Sequence, residues 1–411
     1  MNLLIYPVPL FDENTAVQAY YLKNRRGNEI LDGSGTAIYD GAMISPPLEM
    51  LNIVGLEALT MGKPIFIPVT RYMLLGRLEI QSKQPADKLF FLINANEISD
   101  ASQYIQNIIR LKKLGYSFAV QMINNYERIK PLLAYCTFVF YDVRVSGDVK
   151  EEEIRSKIYH DFPNLKITYT HIESKEAFDE LKCSKNCYYQ GTFYRLPVTK
   201  GKHTVEPFQT HLINLLNIVS KPDIDFKEVA NIVEKDPAMA VSLLKMVNSV
   251  HFALKEKVKS INQAVIMLGQ KEISKWITTA ATRQLGVKKP GELTRLALVR
   301  ARFAEEIGNK FGFKEYSDTI FLIGLFSVLD AMLDMPIEEA FKIVNVSEDI
   351  RDALVGKGGR FSFIYQFVLE YEAAHWSNVS RMMILHDVNT SDVYEAYSNA
   401  MIWYNTLLSE R

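Results

Sequence analysis

Through the first half of the chain, short apolar runs alternate with stretches of helical period. Leu3 to Val8 is apolar and ends at proline and acidic turn residues. Pro64 to Val69, Phe90 to Ile93, Tyr116 to Val120, Phe138 to Tyr141 and Leu165 to Tyr169 follow, each of strand length and rich in aromatic or β-branched residues. Between them, Ser102 to Leu114 places Tyr104, Ile108 and Leu111 on one helical face with Ile105 beside them, and Gly115 supplies a stop. Strands separated by helices predict βαβ units and a mostly parallel sheet. Repeated in this way they predict a (β/α) barrel with its site at the C-terminal ends of the strands. Fewer than about 200 residues is short for eight full units, so the expected barrel is reduced or distorted.

The pattern changes after Pro197. Val198 to Thr204 is polar, and the division placed there gives two domains, 1–197 and 198–411. Beyond it nearly every segment has helical period. Asp236 before Pro237 reads as an N-cap with proline at the first helical position, followed by Met239, Leu243, Leu244 and Val247 on one face. Ser260 to Gln263 has the capping-box form, and Gly269 can end that helix. The second half is therefore all-α, without a repeat of fixed period.

Composition narrows the function classes. With 48% hydrophobic residues the chain folds rather than staying disordered. Lys and Arg number 47 against 48 Asp and Glu, so charge drives it neither to nucleic acid nor to an anionic membrane. The three cysteines, Cys136, Cys183 and Cys187, show no framework spacing and fit a reducing compartment. The N-terminus has no basic residue before its apolar run and no small-residue cleavage site, so it reads as a first strand rather than a signal peptide. No apolar run approaches the roughly 18 residues needed to span a bilayer. The expectation is a soluble cytoplasmic protein.

Three segments of the first half, in order, resemble motifs of the EAL domain, the cyclic di-GMP phosphodiesterase family. Tyr188 to Pro197 (YYQGTFYRLP) is similar to that family's closing QGYxFxxP segment, Ile172-Glu173 fits its AExVE strand, and Tyr20 to Arg25 takes the place of E-x-L-x-R. In the second half, Asp236-Pro-Ala-Met, Leu244 to Ser249 and Ile261 to Gly269 follow the pattern of an HDOD domain, a helical relative of the HD phosphohydrolases. The order, a degenerate EAL followed by HDOD, resembles a bacterial signalling family. The fold it implies is a degenerate, shortened barrel of EAL type followed by an all-helical HDOD domain.

Carried over residue by residue, the resemblance argues against catalysis. EAL chemistry needs a hard dication held by carboxylate and amide oxygens. The naming glutamate falls on Tyr21, the second-strand asparagine near Pro68 and the third-strand glutamate on Asn94, with Glu97 nearby as a companion acid. The DDF aspartates fall on Gln121 and Met122, the lysine before the next aspartate on Phe140, and the first AExVE glutamate on Thr170. Asp142, Glu173 and Gln190 are retained, and Arg25 is a candidate phosphate contact. The candidate ligand-binding set is therefore Arg25, Glu173 and Gln190, with no catalytic residue, metal or cofactor expected. The structural alternative is a surface charge at Arg25 and remnants at the other two.

The HD pair of the second half falls on Ser327 and Val328, neither a metal ligand, and Asp330 reads as an ordinary helix residue. His386-Asp387 lies outside the matching helix. His251 and His375 have no partner at i+4. Cys183 and Cys187, with Cys136 and His171, allow a zinc site on paper, but incidental buried thiols are the better reading. Gly356 to Arg360 reads as a turn between helices. The aromatic and methionine residues of the last third, Phe361 to Tyr404, are read mostly as core, with an exposed partner-binding subset as the alternative. The function this supports is a non-catalytic signalling adaptor recruiting other signalling proteins through the HDOD domain. A non-hydrolysing sensor of cyclic di-GMP or another nucleotide, and a residual metal-dependent phosphodiesterase, remain as alternatives. A homodimer follows by analogy alone.

Overall fold

The structure is a computed structural model that describes residues 4–24, 46–76, 78–121, 126–145, 149–182, 187–197, 207–219, 221, 223–248, 258, 260–286, 289–344, 346–356 and 358–409. By contact the chain divides into two compact units, residues 1–194 with 369–401, and residues 195–368 with 402–411. The sequence division at 197/198 does not anticipate that residues 369–401 cluster with the first half.

Eight strands close a barrel in chain order: β1 (Ile5–Phe11), β2 (Val17–Asn24), β3 (Ile65–Val69), β4 (Leu89–Asn94), β5 (Ser117–Gln121), β6 (Phe138–Asp142), β7 (Lys166–Ile172) and β8 (Cys187–Gly191). β1 runs antiparallel to both neighbours, pairing Pro9 with Tyr20 and Phe11 with Tyr189. The other neighbours are parallel, as in the β3–β4 pair. The expected shortage of units is resolved here. β1 and β2 form a hairpin, so one crossover helix is dispensed with and eight strands still close. Asp12 makes the turn: its Oδ1 accepts from the Asn14 and Ala16 amides at 2.8 and 2.9 Å.

Helices α1 (Pro46–Val54), α2 (Leu56–Thr60), α3 (Arg71–Leu75), α4 (Ser102–Lys113), α5 (Tyr126–Leu133), α6 (Val149–Asp161) and α7 (Lys175–Leu181) connect the strands. α4 buries Tyr104, Ile108 and Leu111, the face its sequence predicts, and Gly115 ends it at φ +96°. Strand alternation sends Leu10, Ala19, Phe66, Leu92, Ala119, Phe138 and Phe140 into one interior cluster. Phe66 lies 4.8, 5.0 and 5.1 Å from the rings of Phe90, Phe138 and Phe140. Each fully buried ring contributes roughly 1.5–3 kcal/mol, so this interior cluster is a packed core.

The helical part contains α8 (Pro207–Val219), α9 (Phe226–Glu234), α10 (Pro237–Val247), α11 (Ile261–Leu285), α12 (Gly291–Lys310), α13 (Ser317–Phe326), α14 (Leu329–Leu333), α15 (Ile337–Ile343), α16 (Glu348–Val355), α17 (Ser362–Ala373), α18 (Trp376–Leu385) and α19 (Thr390–Ser409). Both expected caps are present: Asp236 Oδ1 accepts from the Met239 amide at 3.0 Å and Ser260 Oγ from the Gln263 amide at 3.2 Å. Gly269, at φ 71° and ψ 173°, breaks α11, which then resumes to Leu285. α12 and α13 touch backbone to backbone at Gly324, where a Cβ would lie 2.6 Å from the Ala301 Cα.

Residues 369–401 pack on the start of β1. The Tyr371 hydroxyl donates to the Ile5 carbonyl at 2.8 Å, and the Tyr6 ring lies edge to face with Tyr371 at 6.5 Å and tilted against Tyr397 at 6.1 Å. Phe361, Phe367, Tyr371, Trp376, Met383 and Tyr404 are buried, as the core reading expects. Among the described residues, no helix is long and apolar enough to cross a membrane.

Candidate functional site

A pocket of about 340 Å³ opens at the C-terminal ends of β5 to β8, where a parallel barrel carries its sites. It is lined by Tyr21 and Lys23 of β2, Gln121 of β5, Phe140 and Asp142 of β6, Thr170 and His171 of β7 and Gln190 of β8, among others. Six positions at which the sequence was compared with EAL ligands thus meet in one place: Tyr21, Gln121, Phe140, Asp142, Thr170 and Gln190. The Tyr21 and Phe140 rings, 6.1 Å apart edge to face, roof the interior core.

Gln190 lines the pocket, and its Oε1 accepts from the His171 amide at 3.1 Å. Glu173 is exposed and outside the pocket lining. Arg25 and Met122 lie outside the described residues. Asn94 turns inward on its own loop, Oδ1 accepting from the Asn96 amide at 3.0 Å and Nδ2 reaching Glu97 at 3.5 Å.

A bulge aligns these side chains. The β7–β8 register shifts between Tyr169 and Ile172, His171 takes φ +64°, and Ile172 pairs with Gly191. A Cβ on Gly191 would sit 1.8 Å from the Ile172 carbonyl oxygen, so the glycine of the QG motif is required by close backbone approach. Positive φ on a histidine is strained and persists only where its surroundings fix it.

Asp142 is the one carboxylate among the described lining residues. Arg144 Nε and Nη2 donate to it at 3.0 and 2.6 Å, and the Arg144 amide at 3.0 Å. Burial raises the Asp142 pKa, but these hydrogen bonds and the charges of His171 and Arg144 outweigh it and hold the carboxyl below its ordinary range. Burial also lowers the pKa of His171, against the pull of Asp142. Nδ1 of His171 lies 3.1 Å from Asp142 but is out of line for a hydrogen bond.

Mg²⁺ or Mn²⁺ takes several oxygen ligands, mostly anionic. Tyr21, Gln121, Phe140 and Thr170 supply no carboxylate, and both Asp142 oxygens are already engaged by Arg144. The lining does not fit a dication. Among the described residues no group of three or more His, Cys, Asp or Glu could hold a metal ion.

Sequence reasoning missed the side wall of the pocket. Val139 and Tyr141 on the outer face of β6 and Ile154, Arg155, Ile158 and Tyr159 on α6 also line it. Arg155 pairs with Glu152 and lies 5.2 Å above the Tyr141 ring.

In the helical part, Ser327 and Val328 follow α13. Ser327 Oγ accepts from the buried Arg300 guanidinium at 2.9 Å and donates to the Gly324 carbonyl at 2.7 Å. Burial pushes the Asp330 pKa up, against hydrogen bonds from its own and the Ala331 amides and the charge of Arg300. A guanidinium thus faces the position where the HD pair would stand. His375 Nδ1 meets Glu370 at 2.9 Å, five residues back. His386 is exposed at the end of α18, and His251 lies outside the described residues. Gly356, at φ 74°, caps α16 and opens the expected turn.

Cys187 is disulfide-bonded, which corrects the reading of all three cysteines as incidental thiols; Cys183 lies outside the described residues. Cys136 is a free, partly buried thiol whose pKa burial pushes up to about 12.

Residues 206–337 match the HDOD domain model, so the second half carries an HDOD domain. Over 100% of both chains, the protein is 25% identical to the uncharacterized protein YuxH of Bacillus subtilis. It is also 25% identical over 325 residues to the cyclic di-GMP phosphodiesterase CdgJ of Vibrio cholerae, covering 79% of this chain and 72% of that one. Among solved structures it is similar to the cAMP-bound EAL enzyme Bd1971, at 13% identity and a TM-score of 0.36, over 46% of this chain and 62% of that one. An EAL domain protein from Listeria monocytogenes matches at 18% identity and a TM-score of 0.34, over 47% of this chain and 87% of that one.

Proposed function

We propose that this chain is a non-catalytic, cytoplasmic signal-transduction adaptor of cyclic di-GMP signalling. Its barrel mouth serves as a sensing or docking site, and its HDOD domain recruits other signalling proteins. A ligand or partner that binds one conformer better shifts the population toward it, and recruitment follows the shift. The single observation behind this reading is the mouth itself. Tyr21, Gln121, Phe140 and Thr170 stand at the ligand positions, and the remaining carboxylate, Asp142, is tied to Arg144. The Arg300–Ser327 contact supports the same reading for the HDOD domain.

The test is turnover of cyclic di-GMP by the full chain over a panel of divalent ions, alongside affinity purification of the full chain from its native cell. No turnover together with a specific, reproducible protein partner supports the adaptor. Turnover that depends on Mg²⁺ or Mn²⁺ overturns it and restores the residual phosphodiesterase, the activity for which CdgJ is named.

Arg155 over the Tyr141 ring, in a lining that also holds Tyr21, favours a second reading, a sensor that binds cyclic di-GMP or another nucleotide without cutting it. Gln190 would contact the ligand, with Arg25 and Glu173 the further candidates. Calorimetry with cyclic di-GMP decides it, and absence of heat at high micromolar ligand removes it. We further propose the domain division at 197/198 and a homodimer, the latter checked by sedimentation.

A further inference from the structure

Residues from both faces of β6 line the pocket. Phe138 and Phe140 belong to the interior cluster, so alternation points Val139 and Tyr141 outward, toward α6. The Tyr141 hydroxyl accordingly donates to Glu152 Oε1 of α6 at 3.3 Å. Inward Phe140 and Asp142 and outward Val139 and Tyr141 nevertheless border the same space. One end is therefore the barrel mouth, and the other is a crevice between the barrel wall and α6. Val139, Ile154, Ile158 and Ile167, all buried, make that crevice apolar.

The charged side chains of the described lining are already matched. Arg155 pairs with Glu152, and Lys23 is engaged within the chain. Asp142 holds Arg144 through both oxygens and faces His171 at 3.1 Å. An entering ion would lose its water and would have to break one of these pairs to be compensated. The hydrogen-bonding capacity left over is neutral. Among the described residues the Gln121 side chain has no partner. Gln190 commits its oxygen to the His171 amide, which fixes the orientation of its carboxamide and leaves Nε2 to donate. The group that complements two carboxamides is one that both donates and accepts without charge. The volume, about 340 Å³, lies at the small end of small-molecule sites.

We infer that the pocket takes a short neutral amphiphile, an aliphatic carboxamide, with its chain in the α6 crevice and its head group at the mouth with Gln121 and Gln190. This rests on the reading of the mouth as a sensing site and names the ligand class it senses.

Ligand-observed NMR titration of the full chain with butanamide, pentanamide and hexanamide tests it, with hexanoate, hexylammonium and GMP in parallel. Affinity should rise about fourfold per added methylene. Hexanoate and hexylammonium, of the same length but charged, should bind at least about tenfold more weakly than hexanamide. Gln121→Leu should weaken hexanamide roughly fivefold and leave the dependence on chain length intact. Ile158→Trp, which fills the crevice, should abolish that dependence; should it fail to fold, the length series, the charged analogues and Gln121→Leu still decide. A flat response to chain length overturns the inference, as does hexanoate or hexylammonium binding as tightly as hexanamide. A folded protein that binds GMP or a charged analogue but no amide removes this ligand class and leaves the sensing site standing. A folded protein that binds none of these overturns the ligand class and the sensing mouth together, while the adaptor is judged separately by its partner and turnover.

Discussion

Replacing Gly191 by alanine should unfold the barrel unit under conditions where the wild type is stable. The new Cβ would stand 1.8 Å from the Ile172 carbonyl oxygen and 2.6 Å from the Ile172 nitrogen and carbonyl carbon. All three are backbone atoms, so no side-chain rotation relieves the clash. Reaching ordinary contact takes a separation of roughly 1.5 Å, enough to break the 2.8 Å bond from the Thr192 amide to the Ile172 carbonyl. One or two buried backbone groups left unsatisfied cost about 1–3 kcal/mol each, and residual overpacking adds about 1–3 kcal/mol. A total of about 3–5 kcal/mol places the change among the severe ones. With a urea slope of about 2 kcal/mol/M, the midpoint should fall by roughly 1.5–2.5 M. Trp376, which packs at 5.4 Å on Tyr371 within the barrel unit, reports that transition once Trp276 and Trp403 are changed to Phe. Local reporting matters because a chain of two units need not unfold in one step. Gly291→Ala is the control: it opens α12 with no heavy atom within 4 Å of a Cβ, so its effect should stay within about 1 kcal/mol. A wild-type midpoint for Gly191→Ala would refute the account of the bulge.

Three further outcomes are expected. The folded-state pKa of His171 is lowered by burial, so the unfolded chain takes up that proton first as pH falls through about 6.5. Wild-type stability should therefore drop below about pH 6.5, and His171→Asn, which tolerates the positive φ, should lessen the drop without changing stability above pH 7; the comparison is made by urea midpoint against pH. Cys136, with its thiol near 12, should resist iodoacetamide at pH 8 in the native chain and react fully in denaturant, as read by mass spectrometry. Asp236→Ala removes the cap of α10 and should cost about 1 kcal/mol, measured as the shift of the helical unit's transition.

The strands that sequence located best are those with a plain apolar run, such as β4 and β6, and each was found to within one or two residues. β2 was matched only as a motif, because Tyr20 and Leu22 are buried as well as Ala19 on the inward face. A strand buried on both sides shows no alternation. The inward half of the pocket was legible because motif positions fix it. The outer half was not, since Val139, Tyr141 and the α6 residues come together through packing of a helix on a wall. The return of residues 369–401 to the barrel is also a product of tertiary contact, and nothing in local spacing announces it.

The Tyr371–Ile5 hydrogen bond joins residues 366 positions apart, which has a consequence for synthesis. A ribosome adding 5–20 residues per second reaches Tyr371 roughly 20–70 s after Ile5. Throughout that interval the first strand lacks its final covering, whereas residues 206–337 are finished earlier. The half of the protein that is made first is thus completed last. Nascent chains stalled before residue 369 should display an unfinished barrel to chaperones and proteases.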